Sequence, residues 1–122
     1  MGKSVLLIED ERNIIEAIGF ILSRDGWEVT THSNGRDAVE AVRTRRPDLV
    51  ILDVMLPDRS GFDILKDIRA DAELAATPVL MLTARGQEKD REMARRAGAS
   101  RYMTKPFSNA EMLAAVHDLV GS

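Results

Sequence analysis

Leu49-Val50-Ile51-Leu52 is an unbroken apolar run that stops at one acidic residue, Asp53. A strand with one face in water alternates apolar and polar side chains; this run does not, so both of its faces must be covered. Val5-Leu6-Leu7-Ile8 ending at Glu9-Asp10, and Pro78-Val79-Leu80-Met81-Leu82 ending at Thr83, repeat the pattern. Trp27 to Thr31 is a second, weaker strand, and Arg101-Tyr102-Met103 a short fifth that ends before Lys105-Pro106. Between the runs, apolar residues recur at helical spacing. Ile14, Ile15, Ile18, Ile21 and Leu22 precede a stop at Gly26. Ala38, Val39 and Val42 follow an opening at Ser33-Asn34-Gly35 and precede Pro47. Phe62, Ile64, Leu65 and Ile68 follow the loop Pro57-Asp58-Arg59-Ser60-Gly61. A helix over roughly 88–96 is closed by Gly98, and Ser108 caps a last one carrying Met112, Leu113, Val116, Leu119 and Val120. Five strands alternating with five helices predict a doubly wound α/β domain on a parallel sheet. The rhythm alone leaves two strand orders open.

The chain has 122 residues, enough for one domain, and 44% of them are hydrophobic. With 17 basic and 20 acidic residues its net charge is −3, which gives no electrostatic case for a nucleic acid or an anionic membrane as partner. There is no cysteine, so disulfides and thiol chemistry are excluded. No apolar run approaches the ~20 residues of a membrane span, and the start lacks the long apolar stretch of a signal peptide. The expectation is a protein of the cytoplasm.

The polar residues that end the runs share one end of the sheet. Glu9-Asp10, Asp53, Thr83 and Lys105 all stand at or just beyond the carboxyl ends of their strands, where open parallel sheets bind ligands. Taken singly, each has a plainer role: Glu9-Asp10, Asp53 and Thr83 as helix caps or loop residues, Lys105 as a solvated lysine. Those roles do not explain why all five fall at the same edge. Three converging carboxylates repel one another, and a hard cation removes that penalty. Mg²⁺ prefers oxygen ligands and often shares its site with phosphate. An aspartate there can act as a nucleophile toward phosphorus, beside a lysine that offers a point charge and a threonine that offers a hydrogen bond.

Four ordered blocks complete the pattern: Val5 to Glu11, Asp48 to Pro57, Pro78 to Ala84 and Tyr102 to Phe107. In these segments the chain resembles the receiver domains of bacterial two-component response regulators, a CheY-like superfamily, over its whole length. The resemblance implies strand order 2-1-3-4-5. It implies that Asp53 is the phosphoacceptor, and that Mg²⁺, with Mn²⁺ as a substitute, is bound by Asp10, Asp53 and the backbone carbonyl of Met55, with Glu9 acting through water. Lys105 would pair with the phosphoryl group, and the Lys105–Pro106 bond would be cis. Thr83 and Tyr102 would form the switch. Ala84 would leave the acceptor open to a donor histidine, and Met55 and Arg85 would flank the site and act on the lifetime of the acyl phosphate.

The resemblance further implies a sensor histidine kinase or a histidine phosphotransfer protein as donor, and an output surface made by the fourth helix, fifth strand and fifth helix. That surface carries Arg91, Arg95, Arg96 and Arg101; the plainer reading is a solvated basic face. Receivers joined to winged-helix domains often have acidic residues where this chain has Ser100-Arg101, and an arginine where it has Ala115, groups that form ion pairs across their dimer. The expected state is a monomer or a phosphorylation-dependent dimer. Residues 1–122 are expected to be a receiver alone, with no output domain, no direct binding to nucleic acid or membrane, and no turnover of an external substrate. An aspartate-nucleophile phosphotransfer enzyme is the alternative, although the first strand gives Glu9-Asp10-Glu11 and not Asp-x-Asp. A flavodoxin-like cofactor binder is another, although no Gly-rich first loop supports it.

Overall fold

The computed structural model describes residues 3–84 and 88–120, the side chains of Ala84 and Glu88 excepted. Strands and helices alternate: β1 (Ser4–Ile8), α1 (Arg12–Arg24), β2 (Glu28–His32), α2 (Ala38–Arg45), β3 (Leu49–Asp53), α3 (Gly61–Ala70), β4 (Val79–Ala84), α4 (Glu88–Ala97), β5 (Arg101–Lys105) and α5 (Asn109–Val120). All neighbouring strands pair in parallel, in the order β2-β1-β3-β4-β5. This is the flavodoxin-like order, with its reversal between β1 and β3.

The uninterrupted apolar runs occupy the centre of the sheet. Every residue of β3 is buried, and alternate side chains feed two separate cores. Val50 and Leu52 join Ala38 and Val42 of α2, Phe62, Ile64, Leu65 and Ile68 of α3, and Ala94 of α4. Leu49 and Ile51 join Ile18, Ile21 and Leu22 of α1 and Met112, Ala115 and Val116 of α5. The period-two alternation of a strand thus becomes a sheet with α1 and α5 on one face and α2, α3 and α4 on the other.

Helix ends follow local chemistry. Gly26 and Gly98, with φ of 92° and 100°, take the left-handed conformation just beyond α1 and α4. Ser60 caps α3, its hydroxyl accepting from the Phe62 N–H at 3.1 Å. Ser108 and Glu111 exchange hydrogen bonds at the start of α5, Glu111 N–H to Ser108 Oγ at 3.0 Å and Ser108 N–H to Glu111 Oε1 at 2.7 Å.

Several boundaries differ from the sequence expectation: β5 includes Lys105, and α3 includes Gly61. The helix expected to open at Ser33-Asn34-Gly35 begins at Ala38. The Asp58 carboxylate accepts the Gly35 N–H at 2.7 Å and the Arg36 N–H at 3.0 Å, so these donors are satisfied across the loops without a helix. Trp27 lies ahead of β2 and not within it; its buried indole donates to Asp25 Oδ2 at 3.3 Å. Among the described residues no helix is long and apolar enough to cross a membrane.

Candidate functional site

Three chain segments meet at the carboxyl edge of β1, β3 and β5. Glu9 and Asp10 follow β1, Asp53 is the last residue of β3, and Lys105 is the last residue of β5. Carboxylate oxygens of Glu9, Asp10 and Asp53 lie within 4.8 Å of one another. Glu9 and Asp53 are buried at 0% and 1% exposure, whereas Asp10 is exposed. Lys105 Nζ stands 3.1 Å from Glu9 Oε1, 3.2 Å from Asp53 Oδ1 and 2.9 Å from Glu11 Oε1. Its peptide bond to Pro106 is cis.

The carboxylates are fixed by their own backbone. Glu9 Oε2 accepts from the N–H groups of Asp10 and Glu11 at 3.1 and 3.0 Å. The Met55 N–H donates to Asp53 Oδ1 at 3.3 Å, while the Met55 side chain is 72% exposed at the rim. Two oxygens remain without a hydrogen bond from any described group, Glu9 Oε1 and Asp53 Oδ2. Glu9 Oε1 stands 3.1 Å from Lys105 Nζ but outside hydrogen-bond geometry.

Burial raises the Glu9 carboxyl to about 7, with the nearby Asp53 charge adding to the rise and the Glu11 N–H and Lys105 opposing it. Burial likewise pushes Asp53 above its ordinary range, against the opposing pull of Lys105 and of the Met55 N–H. For Lys105 burial acts to lower the ammonium, but the Glu11 hydrogen bond and the charges of Asp53 and Glu9 win, and its pKa is raised. One ammonium therefore serves three carboxylates, and the deficit of positive charge is concentrated on the two buried ones. Oxygen donors from separate strands, two of them unsatisfied, fit a hard divalent cation.

Thr83, near the end of β4, is buried at 1% exposure. Its hydroxyl donates to Asp90 Oδ2 on α4, at 2.7 Å. Tyr102 is half-buried on β5 and packs against the core that α2, α3 and α4 cover. Arg91 of α4 lies over its ring, 5.3 Å from the centroid. Glu11 and Ser60 are the N-cap residues of α1 and α3, and the Lys105 side chain is only 17% exposed. The arginines of the basic face are exposed, with surface ion pairs to neighbouring acids. Arg95 and Arg96 pair with Glu92 at 2.6 and 3.0 Å, and Arg101 with Asp118 at 2.7 Å. Ala115 is buried on α5. Arg85 and the side chain of Ala84 lie outside the described residues.

Sequence reasoning missed two partners. Glu11 had a visible signal, as the third acid in the run after β1. Asp90 had none beyond being an acid in the first turn of a helix; its pairing with Thr83 exists only once α4 lies over β4.

Comparison with known proteins gives the same picture. The family described as "Response regulator receiver domain" matches residues 5–117. The alkaline phosphatase synthesis transcriptional regulatory protein PhoP of Bacillus subtilis is 40% identical over 95% of this chain and 48% of its own length. The probable transcriptional regulatory protein TcrX of Mycobacterium tuberculosis is 42% identical over 96% of this chain and 49% of its own. The chain thus spans about half the length of these curated relatives. Among solved structures, the receiver domain of the sensor histidine kinase PA1611 from Pseudomonas aeruginosa superposes with a TM-score of 0.91 at 32% identity, with 100% of both chains covered. That structure holds a magnesium ion in its active-site cleft. The chemotaxis protein CheY4 of Vibrio cholerae gives a TM-score of 0.89 at 28% identity over 98% of this chain and 99% of its own. Fold, strand order and sequence thus agree, and the chain belongs to the receiver domain family of two-component response regulators, whose role is signalling and not substrate turnover.

Proposed function

We propose that Asp53 accepts a phosphoryl group from a phosphohistidine, in a site completed by Mg²⁺, and that the modification resets the surface of α4, β5 and α5 for a protein partner. The observation that carries this reading is Asp53 Oδ2, a buried carboxylate oxygen with no hydrogen-bond partner among the described residues, beside two further carboxylates and a lysine. Such an atom costs free energy unless a cation or a covalent bond takes it up.

In the transfer, an Asp53 oxygen forms the new O–P bond as the P–N bond to the donor imidazole breaks. The imidazole nitrogen keeps the electron pair and is then protonated. Asp10, Asp53 and the Met55 carbonyl would hold Mg²⁺, or Mn²⁺ in its place, with Glu9 acting through water. The cation, when bound, would neutralise charge on the carboxylate and on the incoming phosphoryl group. Lys105, already 3.2 Å from Asp53, would pair with a phosphoryl oxygen. Thr83 would donate its hydroxyl to another, and Tyr102 would report the change on the α4–β5 surface.

The donor would be a sensor histidine kinase or a histidine phosphotransfer protein, in the cytoplasm. The receiver unit would occupy residues 1–122 and act as a monomer or a phosphorylation-dependent dimer, with no direct contact to nucleic acid or membrane. Acetyl phosphate with Mg²⁺, followed by intact mass, tests the assignment. One added phosphoryl group is expected, lost in Asp53→Asn and when the metal is chelated. Modification that persists in Asp53→Asn would overturn it.

A further inference from the structure

We propose that Asp90 is a latch on the switch: a positioning residue that holds the Thr83 hydroxyl on α4 in the unmodified protein and competes with the phosphoryl group for it. The proposal rests on the reading of Asp53 as phosphoacceptor and adds a residue to it. A threonine hydroxyl has one proton to donate. Here that proton goes to Asp90 Oδ2 at 2.7 Å, from a residue 1% exposed. If Thr83 is to donate to a group on Asp53, it must first give up Asp90. The two bonds are mutually exclusive, so the stronger the first, the smaller the switched population at a given affinity for the second.

The latch also has a route to the surface. Asp90 and Arg91 are adjacent in the first turn of α4. The first holds Thr83; the second lies 5.3 Å from the centroid of the Tyr102 ring. Thr83 and Tyr102 sit on neighbouring strands, Thr83 opposite Thr104 and Tyr102 opposite Met81, so the two alternate onto the same face of the sheet. That face is the one α4 covers, through Ala94. One helical turn thus touches both switch residues from above. Release of Asp90 loosens the turn that carries Arg91, and with it the cover on Tyr102. The connection between buried hydroxyl and surface ring is a pair of named contacts on one turn.

Tyr102 is the single tyrosine of the chain, so 3-fluorotyrosine gives one ¹⁹F resonance to follow. The resonance is recorded before and after treatment with acetyl phosphate and Mg²⁺, with intact mass on the same samples. In the wild type it moves on phosphorylation. In unmodified Asp90→Ala it is already displaced toward the phosphorylated position, with the switched-to-unswitched ratio raised about tenfold, the scale of one hydrogen bond to a charged group. Asp90→Asn keeps an acceptor oxygen but no charge and falls between; it serves as the second variant should Asp90→Ala fold poorly. The decisive comparison is Asp90→Ala in a Thr83→Val background. A latch acting through the hydroxyl leaves no further displacement there, whereas a role in capping α4 persists unchanged. An unmoved resonance in both Asp90 variants, or an equal displacement with and without the hydroxyl, would overturn the latch while leaving the Asp53 assignment standing. Absence of any added phosphoryl group in the wild type would overturn that assignment and the latch with it.

Discussion

The Glu9 carboxyl is the most perturbed acid at the site, and its burial has a measurable consequence. Its folded value of about 7 lies above the ordinary 4.5. The native state therefore binds this proton more tightly than the unfolded state. Its contribution to stability is greatest below 4.5, declines as pH rises through the window from 4.5 to 7, and is flat above. Glu9→Gln keeps an oxygen for the two N–H groups and removes the charge. In metal-free protein at pH 8 it should be more stable than wild type by roughly 2 kcal/mol, with the difference closing toward pH 4.5. Saturating Mg²⁺ should reverse the order at pH 8, because the wild-type carboxylate is then matched by a cation, and Mg²⁺ affinity should fall as pH drops through 7, because proton and metal compete. Urea unfolding at several pH values, with and without Mg²⁺, checks all three; a wild type that is the more stable in the absence of metal at pH 8 would refute the account. Much of this was legible in the sequence. Glu9, Asp10, Asp53 and Lys105 were readable as a group because each stands at or just beyond the carboxyl end of a strand, and such ends converge in a parallel sheet. The charge deficit was not, since it depends on how one ammonium is shared and on Glu11 joining it.

At the scale of elements, the junction of β3 and α3 sets the position of Asp53. A Cβ built on Gly61 would collide with the Asp53 carbonyl oxygen and lie 2.9 Å from Val54 Cα, both backbone atoms that cannot swing aside. The Gly61 N–H also donates to the Val54 carbonyl at 2.9 Å, so the helix start is bound directly to the strand end. Gly61→Ala should therefore displace the backbone beneath Asp53. The expected cost is about 1–3 kcal/mol, the range of overpacking, together with weakened Mg²⁺ binding. Ser60→Ala, one residue earlier, removes only the cap, for about 1 kcal/mol, and should leave metal affinity intact. Thermal unfolding and metal titration of the two variants separate these effects; equal loss of Mg²⁺ affinity in both would show that the site does not depend on this contact. The sequence placed Gly61 at the end of a loop, whereas it is the first residue of α3. The close approach that excludes any side chain comes from a strand eight residues upstream, and no local pattern encodes it. The start of α2 was misplaced for a similar reason: Asp58 satisfies the Gly35 and Arg36 N–H groups from a distant loop.

Across the whole molecule, apolar burial is uneven, and the unevenness falls where the switch is proposed. β3 is buried along its full length and contributes to both cores. α3 buries Phe62, Ile64, Leu65 and Ile68 against one of them. Among its described side chains, α4 contributes one buried apolar residue, Ala94, and exposes Met93 at 49%. At about 25 cal/mol per Å² of apolar surface removed from water, a helix anchored by an alanine is held far more weakly than one anchored by a phenylalanine and three branched aliphatics. Ala97 adds a half-buried contact to the same core, and the most buried polar tie of α4 is the bond from Thr83 to Asp90. A change of bonding at one hydroxyl can then move a whole helix, because little hydrophobic free energy opposes it. Native-state hydrogen exchange reads this directly. Amides of β3 should open only with global unfolding, and those of α4 at a free energy lower by about 2 kcal/mol or more. Phosphorylation should change exchange in α4 and β5 and leave β3 and α1 as they were. Protection of α4 equal to that of β3 would mean that the helix is as firmly set as the core, and that a switch at the carboxyl edge must reach the surface by some other element.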